Sequence, residues 1–133
     1  LVAAMRPALE RSGMTAAEVA YGNAHATSTP IGDRAEMRAL TTLFGDLDEP
    51  PGVSSTKALT GHGLSLSSVM EAGFTVLAMR NGFTPGSANI TDLDDEAAKL
   101  NILRESVPKG PGVALSNSSG FGGANVCLVF SKC

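Results

Sequence analysis

Two histidines are the side chains of this sequence best suited to chemistry near neutral pH. His25 lies in "NAHATSTP" and His62 in "TKALTGHGLS". Each is predicted to end a strand and to open a turn or helix, and strand ends and helix N-termini are where α/β folds place functional groups. A helix N-terminus disfavours imidazolium, so His62 is expected to stay neutral and to donate a hydrogen bond to a developing oxyanion. The alternative is a pair of core histidines that hydrogen-bond to the backbone.

A lysine and a glutamate flank His62 in a stretch of small, apolar or hydroxylated residues. From Ala58 to Met79 the only formal charge is Glu71. Because an isolated charge in apolar surroundings is costly, Glu71 is expected to pair with Lys57. The alternative is that Glu71 faces water and pairs with nothing.

Hydroxyl and acidic side chains follow His25. Asp33 and Glu36 have the spacing of a helix N-cap and its third-position acid, which explains them without a function. Thr27 and Thr29 suit a loop whose hydroxyls cap backbone groups, and they equally suit a polar linear ligand. The two histidines with one of these carboxylates would also make a two-histidine, one-carboxylate metal site, although the spacing is not diagnostic.

Apolar patterning predicts the elements that must position these residues. The predicted helices cover 1–12, 34–45 and 63–80, and the predicted strands cover 19–26, 53–56 and a hairpin over 112–132. In the hairpin, the run "VCLVF" is expected to be buried on both faces. Residues 83–105 are expected to be irregular, with a helical turn near 94–99. Gly13 and Gly82 are expected to end the first and third helices.

A glycine-rich bend, "GFGG", joins the two strands of the predicted hairpin. It lacks the GxGxxG spacing and a following helix, so it does not predict a phosphate-binding loop. Taken alone, its one large side chain, Phe121, is typical of an ordinary turn with one buried aromatic residue. The alternative is a mobile turn that gates a pocket.

Composition predicts one globular domain over residues 1–133. The chain is 43% hydrophobic and 17% charged, and its net charge of −3 has no basic block, which argues against nucleic acid or an anionic membrane as the main partner. There is no membrane-spanning run or signal peptide, and Cys127 and Cys133 lack disulfide or zinc spacing. A cytoplasmic setting is therefore expected. Because helical patterning starts at once at Leu1, we expect a piece of a longer chain.

Three segments resemble, in order and spacing, the C-terminal half of β-ketoacyl-acyl-carrier-protein synthases, the elongating condensing enzymes of fatty-acid synthesis. They are "NAHATSTPIGDRAE", "SSTKALTGH" and "LSNSSGFGGANVCLVF", and the resemblance extends over about residues 1–132. It implies a thiolase-like α/β fold, with this chain as one βαβαβ-type half of a five-layered α-β-α-β-α architecture. One half alone would leave an apolar face uncovered.

The resemblance also implies an activity. The family performs decarboxylative Claisen condensation of an acyl thioester with malonyl-acyl-carrier protein, which is an acyltransferase reaction without a cofactor, and the full-length form is a homodimer. The catalytic residues would be His25, His62 and Lys57. They would be supported by Glu71, which pairs with the lysine, and by Asp33 and Glu36.

Substrate and ion positions are implied in the same way. Thr27 and Thr29 would bind the phosphopantetheine arm of the acyl-carrier protein. Phe121 would be the gate residue, with its backbone N–H in an oxyanion hole. Some members hold a structural monovalent cation, which would lie near Asn23, Ser116, Asn117 and Glu71.

The sequence departs from the family pattern at several positions. The nucleophilic cysteine of the family lies in the N-terminal half, and neither Cys127 nor Cys133 matches it. Ala26 stands where many members have glycine, and "GHGLSLSS" replaces the commoner "GHSLGAAG". Ser119 stands where many members have a further phenylalanine, which bears on acyl-chain length. Two alternatives stay open: a non-catalytic partner subunit of the chain-length-factor kind, and a polyketide ketosynthase domain.

Overall fold

A five-stranded sheet lies at the centre of the computed structural model, which describes residues 1–132. The strands are β1 (Tyr21–Asn23), β2 (Gly52–Ser54), β3 (Asn101–Ile102), β4 (Val113–Ser119) and β5 (Asn125–Ser131), in the spatial order β3-β2-β1-β4-β5. Strand β1 pairs in parallel with β2 and β4, β2 pairs in parallel with β3, and β4 and β5 form an antiparallel hairpin. The predicted α/β class and the predicted hairpin are therefore confirmed.

Four α-helices accompany the sheet in the described part of the chain: α1 (Val2–Ser12), α2 (Pro30–Phe44), α3 (Lys57–Thr60) and α4 (Ser67–Asn81). Short 3₁₀ turns cover Ala16–Glu18, Leu64–Leu66, Asp95–Ala97 and Phe121–Gly123. Gly13 and Gly82 follow α1 and α4 with φ of 69° and 74°, the left-handed conformation that glycine adopts without a steric penalty. The two predicted helix ends are confirmed.

The sheet separates two layers of helices. Successive residues of a strand point to opposite faces, so Ala114 and Leu115 of β4 identify the two sides. Leu115 packs in a core with Met5 of α1 and Phe44 of α2, whereas Ala114 packs with Met79 of α4. Helices α1 and α2 thus cover one face of the sheet, and α4 lies on the other.

Helix α2 begins four residues before the predicted start. Thr29 is its N-cap residue, and Pro30 takes the first helical position, where its fixed φ suits a helix and its missing N–H is not needed. The prediction that Asp33 and Glu36 cap this helix is therefore wrong, because both lie inside it. Their carboxylates are available for contacts elsewhere.

The helix predicted over 63–80 is divided. Helix α3 ends at Thr60, Gly61 follows with φ 72° and ψ 176°, and α4 begins only at Ser67. The backbone of Gly61 leaves helical geometry in a conformation that few other residues adopt. His62 therefore lies in a link between two helices and not, as predicted, at the N-terminus of the long helix.

Strand β5 is at the edge of the sheet, and the prediction that it is buried on both faces is wrong. Val126 and Leu128 are 52% and 42% exposed. Leu66, just before α4, and Val69 and Leu77 of α4 are each more than half exposed. An apolar face is uncovered in this chain, as the expectation for one half of a two-half fold requires.

Two smaller differences concern short elements. Strand β1 covers only Tyr21–Asn23 of the predicted 19–26. Residues 83–105 are irregular and contain a 3₁₀ turn, as predicted, but they also supply β3, whose two residues are too few to produce a periodic pattern. Within residues 1–132, no helix combines the length and apolar character needed to cross a membrane.

Candidate active site

Parallel strands bring the predicted site residues to one edge of the sheet. Strand β1 ends at Asn23 and β2 at Ser54, and the register pairs Asn23 with both Ser54 and Ser116. The carboxyl ends of parallel strands meet at the same edge, which is where α/β folds bind ligands. His25 follows β1 by two residues and Lys57 follows β2 by three, so both extend from this edge.

Glu36 fixes the backbone that carries His25. Its buried carboxylate accepts hydrogen bonds from the backbone N–H groups of His25 (2.8 Å) and Ala26 (2.7 Å) and from the side-chain amide of Asn117 (2.6 Å). Burial raises the pKa of Glu36, and these three hydrogen bonds oppose the rise. Because Asn117 belongs to β4, Glu36 joins α2, the His25 loop and the sheet.

The loop after His25 has an unusual backbone. Ala26 has φ of 27° and Ser28 has φ of 64°, so two residues with a Cβ atom occupy the left-handed region. Such conformations cost about 1–3 kcal/mol each and persist where surrounding contacts impose them. The bonds from His25 and Ala26 to Glu36 impose this one. The contacts that position His25 thus hold the backbone of this loop in a strained conformation.

The ring of His62 is held through Nδ1. The backbone N–H of Leu64 donates to this nitrogen at 3.0 Å, and the hydroxyl of Ser67 lies 2.9 Å from it. A backbone N–H can only donate, so Nδ1 carries no hydrogen and the ring bears its hydrogen on Nε2. Nε2–H is therefore the group that His62 can offer to a ligand.

The rings of the two histidines lie close together. Their ring centroids are 5.3 Å apart and their planes are nearly perpendicular, at 89°. Burial, with smaller contributions from the neighbouring Lys57 and His62, lowers the pKa of His25 to about 4. His25 is therefore neutral at physiological pH.

Lys57 and Glu71 form a buried ion pair, as predicted from the isolated charge in an apolar run. The Lys57 Nζ contacts Glu71 Oε1, and both side chains are less than a tenth exposed. Lys57 opens α3 and Glu71 lies in the second turn of α4, so the pair spans the link that carries His62. The alternative in which Glu71 faces water is wrong.

Three buried oxygen atoms of residues predicted near a cation have no hydrogen-bond partner within residues 1–132. They are Asn23 Oδ1, Asn117 Oδ1 and Glu71 Oε2. The Asn23 amide donates to the Glu71 carbonyl of α4, whereas the Asn117 amide donates to Glu36 of α2 on the other face of the sheet. The structural monovalent cation that the resemblance implies therefore stays a prediction. Ser116, the fourth predicted position, is also buried. In the described chain, no three His, Cys, Asp or Glu side chains are grouped as ligands for a metal ion, so the two histidines and a carboxylate do not form such a cluster.

Asp33 faces a different space from the histidines. Together with Ala26 and Thr29 it lines a cavity of about 530 Å³ between the start of α2 and residues 87–97, and neither histidine is among the lining residues. Burial raises the pKa of Asp33 despite hydrogen bonds from the loop backbone. Its supporting role stays a prediction.

The predicted substrate and gate residues lie at the surface. The hydroxyls of Thr27 and Thr29 are 3.3 Å apart and accessible. Phe121 is fully exposed in the 3₁₀ turn between β4 and β5, where Gly122 and Gly123 have positive φ. The interpretation of Phe121 as a buried turn aromatic is wrong for this chain, and its gate role stays a prediction.

Two contacts escaped sequence reasoning. Asn117 was expected only near a cation, yet it also donates to Glu36, which is 81 residues away. Ser67 was not predicted to have a role at the site, yet it contacts His62. A hydroxyl five residues after the histidine would have suggested the second contact, because the link brings the helix start back onto the ring.

Comparison with known proteins gives a consistent result. Residues 1–91 match the family described as "Beta-ketoacyl synthase, C-terminal domain". The 3-oxoacyl-[acyl-carrier-protein] synthase 1 of Escherichia coli K12 is 46% identical over 112 residues, which are 84% of this chain and 27% of that protein. The mitochondrial 3-oxoacyl-[acyl-carrier-protein] synthase of Arabidopsis thaliana is 41% identical over 134 residues, which are 98% of this chain and 29% of that protein. The chain thus spans less than a third of the length of these relatives.

Solved structures agree in fold. A β-ketoacyl synthase from Burkholderia phymatum STM815 is 34% identical with a TM-score of 0.91, covering 99% of this chain and 32% of its own. A ketosynthase in complex with its chain length factor, from Xenorhabdus doucetiae, is 32% identical with a TM-score of 0.87, covering 99% of this chain and 33% of its own. The predicted thiolase-like fold is confirmed. The chain belongs to the β-ketoacyl synthase family and carries the family's C-terminal domain.

Proposed function

We propose that this chain supplies the two-histidine part of a site for decarboxylative condensation of an acyl thioester with malonyl-acyl-carrier protein, in fatty-acid chain elongation. The perpendicular pair of His25 and His62, 5.3 Å between centroids, carries the proposal. It lies beside a buried ion pair that fastens one of the two segments. The names of the two relatives, both 3-oxoacyl-[acyl-carrier-protein] synthases, support the same reaction.

The first half of the reaction needs neutral hydrogen-bond donors. Loss of CO₂ from the malonyl thioester leaves its electron pair as an enolate, with negative charge on the thioester oxygen. Fixed N–H groups stabilise that oxygen without reorganisation at the moment of reaction. His62 offers Nε2–H because its Nδ1 accepts hydrogen bonds, and the lowered pKa of His25 keeps the second ring neutral.

The second half forms the carbon–carbon bond. The enolate carbon attacks the carbonyl of an acyl group held as a thioester on a cysteine, the tetrahedral intermediate collapses, and the cysteine leaves as thiolate. The 3-oxoacyl chain then remains on the carrier protein. We place this cysteine in the N-terminal half, since burial raises the pKa of the Cys127 thiol to about 12 and makes it a poor nucleophile.

The remaining predicted roles belong to the same proposal. Lys57 and Glu71 position the His62 link, and Asp33 and Glu36 support the site. Thr27 and Thr29 bind the phosphopantetheine arm, and Phe121 gates the acyl pocket and donates its backbone N–H to the second oxyanion. The N-terminal half covers the exposed apolar side chains of α4 and β5, and the full-length protein works with acyl-carrier protein, without a cofactor, as a cytoplasmic homodimer.

The test is malonyl decarboxylation by the full-length synthase, meaning these residues together with the N-terminal half that the relatives carry. CO₂ release from malonyl-acyl-carrier protein is measured for His25→Ala and His62→Ala. Each variant should lose activity by a factor on the order of 10²–10³, because each lacks one oxyanion donor. Thr60→Ala removes an exposed hydroxyl of α3 and serves as the matched control. Normal decarboxylation by both histidine variants would refute the proposal.

A partner subunit of the chain-length-factor kind is the second candidate. The similarity to a ketosynthase that is in complex with its chain length factor is the observation that supports this second candidate. Such a subunit would form no 3-oxoacyl product, because the N-terminal half would have glutamine in place of the nucleophilic cysteine. A polyketide ketosynthase would share the histidine chemistry, and the carrier protein that it accepts would distinguish it.

A further inference from the structure

Ser67 is a buried hydroxyl with one partner. It is the first residue of α4 and is 4% exposed. Within residues 1–132 its side chain hydrogen-bonds only to Nδ1 of His62, at 2.9 Å. Because buried polar groups are normally paired, this contact accounts for the hydroxyl at position 67.

The direction of this hydrogen bond is determined by a neighbour. The N–H of Leu64 donates to the same nitrogen at 3.0 Å and has no other option, so Nδ1 is an acceptor. The hydroxyl of Ser67 must then act as the donor. Two donors therefore converge on one nitrogen, and both require the hydrogen of the ring to be on Nε2.

The two donors differ in how firmly they are held. Leu64 is exposed in a 3₁₀ turn and has φ of 52°, a strained conformation for a residue with a Cβ atom. Ser67 begins a 15-residue helix that packs on the sheet through Met79. Of the two, only Ser67 connects the ring of His62 to a rigid element of the fold.

We propose that Ser67 is a positioning residue, whose hydroxyl donates to His62 Nδ1 and holds the ring so that Nε2–H faces the thioester oxygen. The catalytic part of this inference rests on the proposed function, whereas the hydrogen bond itself does not. The sequence offers a matched control in Ser68, a neighbouring hydroxyl of the same helix that does not contact His62.

The experiment compares Ser67→Ala, Ser67→Thr and Ser68→Ala with the unmodified full-length synthase. Long-range ¹H–¹⁵N correlation spectra report the protonation of each ring nitrogen, and the His62 signals are assigned by their loss in His62→Gln. We expect hydrogen on Nε2 in the unmodified protein and a downfield shift of Nδ1 in Ser67→Ala. Ser67→Thr, which keeps a hydroxyl, and Ser68→Ala should leave the Nδ1 shift unchanged.

Decarboxylation kinetics form the second arm. Loss of one hydrogen bond should lower kcat of Ser67→Ala about fivefold with KM little changed, and Ser67→Thr should recover most of that loss. Hydrogen on Nδ1 in the unmodified protein, or an Nδ1 shift identical in Ser67→Ala, would overturn the inference even if no variant were active. A synthase that shows the expected shifts but releases no CO₂ would instead refute the proposed function alone.

Discussion

The two histidines are the same residue type in one site, but the protein holds them by different means. His25 is held through its backbone, whose N–H donates to Glu36, and its ring is half-buried. His62 belongs to an exposed link and is held through its ring nitrogen, which accepts from Leu64 and Ser67. Burial keeps the first ring neutral, whereas hydrogen bonds select the tautomer of the second.

Each histidine segment is also fastened by one buried carboxylate. Glu36 accepts three neutral N–H donors around the His25 loop, and Glu71 pairs with the charge of Lys57 across the His62 link. A carboxylate with neutral donors and a carboxylate with a cation respond differently when a partner is removed. This difference orders the following expectations, all for the full-length synthase.

Removal of the cation should have the largest effect. Lys57→Ala leaves Glu71 buried and unpaired and should lower the free energy of unfolding by about 3–5 kcal/mol. Urea denaturation measures the change. The double variant Lys57→Met/Glu71→Leu removes both charges and should recover most of the stability, since apolar residues of similar size often replace a buried pair at little cost. Equal losses of stability in the single and double variants would show that the unpaired charge of Glu71 is not the cause of the destabilisation.

Removal of the Glu36 carboxylate, which fastens the His25 segment, should lower the free energy of unfolding by less. Glu36→Ala leaves the N–H groups of His25 and Ala26 and the amide of Asn117 without their acceptor, which should destabilise the protein by about 2–3 kcal/mol because water can reach part of the loop. Glu36→Gln keeps one acceptor oxygen and should fall between this variant and the unmodified protein. The Nδ1 shift of His62 should stay constant in both, and a change there would show that the two segments are not held independently.

Sequence reasoning succeeded where a local pattern had a direct physical consequence. A single charge in an apolar run requires a partner, which predicted the pairing of Glu71 with Lys57. The end of a short apolar run before His25 predicted a strand end, and β1 ends two residues before it, whereas His62, predicted in the same way, follows helix α3.

The same reasoning failed where a local rule was satisfied by coincidence. Asp33 and Glu36 have capping-box spacing, but Pro30 starts the helix earlier, and Glu36 contacts residues up to 81 positions away that no local pattern encodes. The break before α4 depends on positive φ at Gly61 and Leu64, and a leucine in the sequence does not predict such a conformation. The run "VCLVF" could not distinguish a central strand from an edge strand, because an apolar run does not indicate which neighbouring elements cover the strand.

A smaller effect concerns pH and separates the two histidines. The pKa of His25 is about 4 in the folded protein and 6.5 for an ordinary histidine, so between these values the unfolded chain binds a proton that the folded protein does not. The stability that neutral His25 provides is complete above pH 6.5 and is lost as the pH falls towards 4.

The difference between the unmodified protein and His25→Gln isolates this term. This comparison is needed because Glu36, whose pKa is raised, changes the stability with pH in the opposite direction. The stability that Glu36 contributes is lost as the pH rises above 4.5. Thermal unfolding midpoints at pH 4.5, 5.5 and 7 should show the unmodified protein losing stability relative to His25→Gln as the pH is lowered. Parallel curves would mean that burial of His25 does not set its pKa.

The smallest effect tests whether the His25 loop is strained. Ala26 has φ of 27°, so Ala26→Gly should relieve the steric cost and raise the free energy of unfolding by about 1 kcal/mol, measured by urea denaturation. The control is Ala35→Gly in the exposed interior of α2, where glycine should lower stability by about 1 kcal/mol. If Glu36 imposes the strained conformation, the increase in the free energy of unfolding should disappear in a Glu36→Gln background. If the strain is intrinsic to the turn, the increase should persist there. Destabilisation by both glycine variants would show that the loop is relaxed and that His25 is positioned without stored strain.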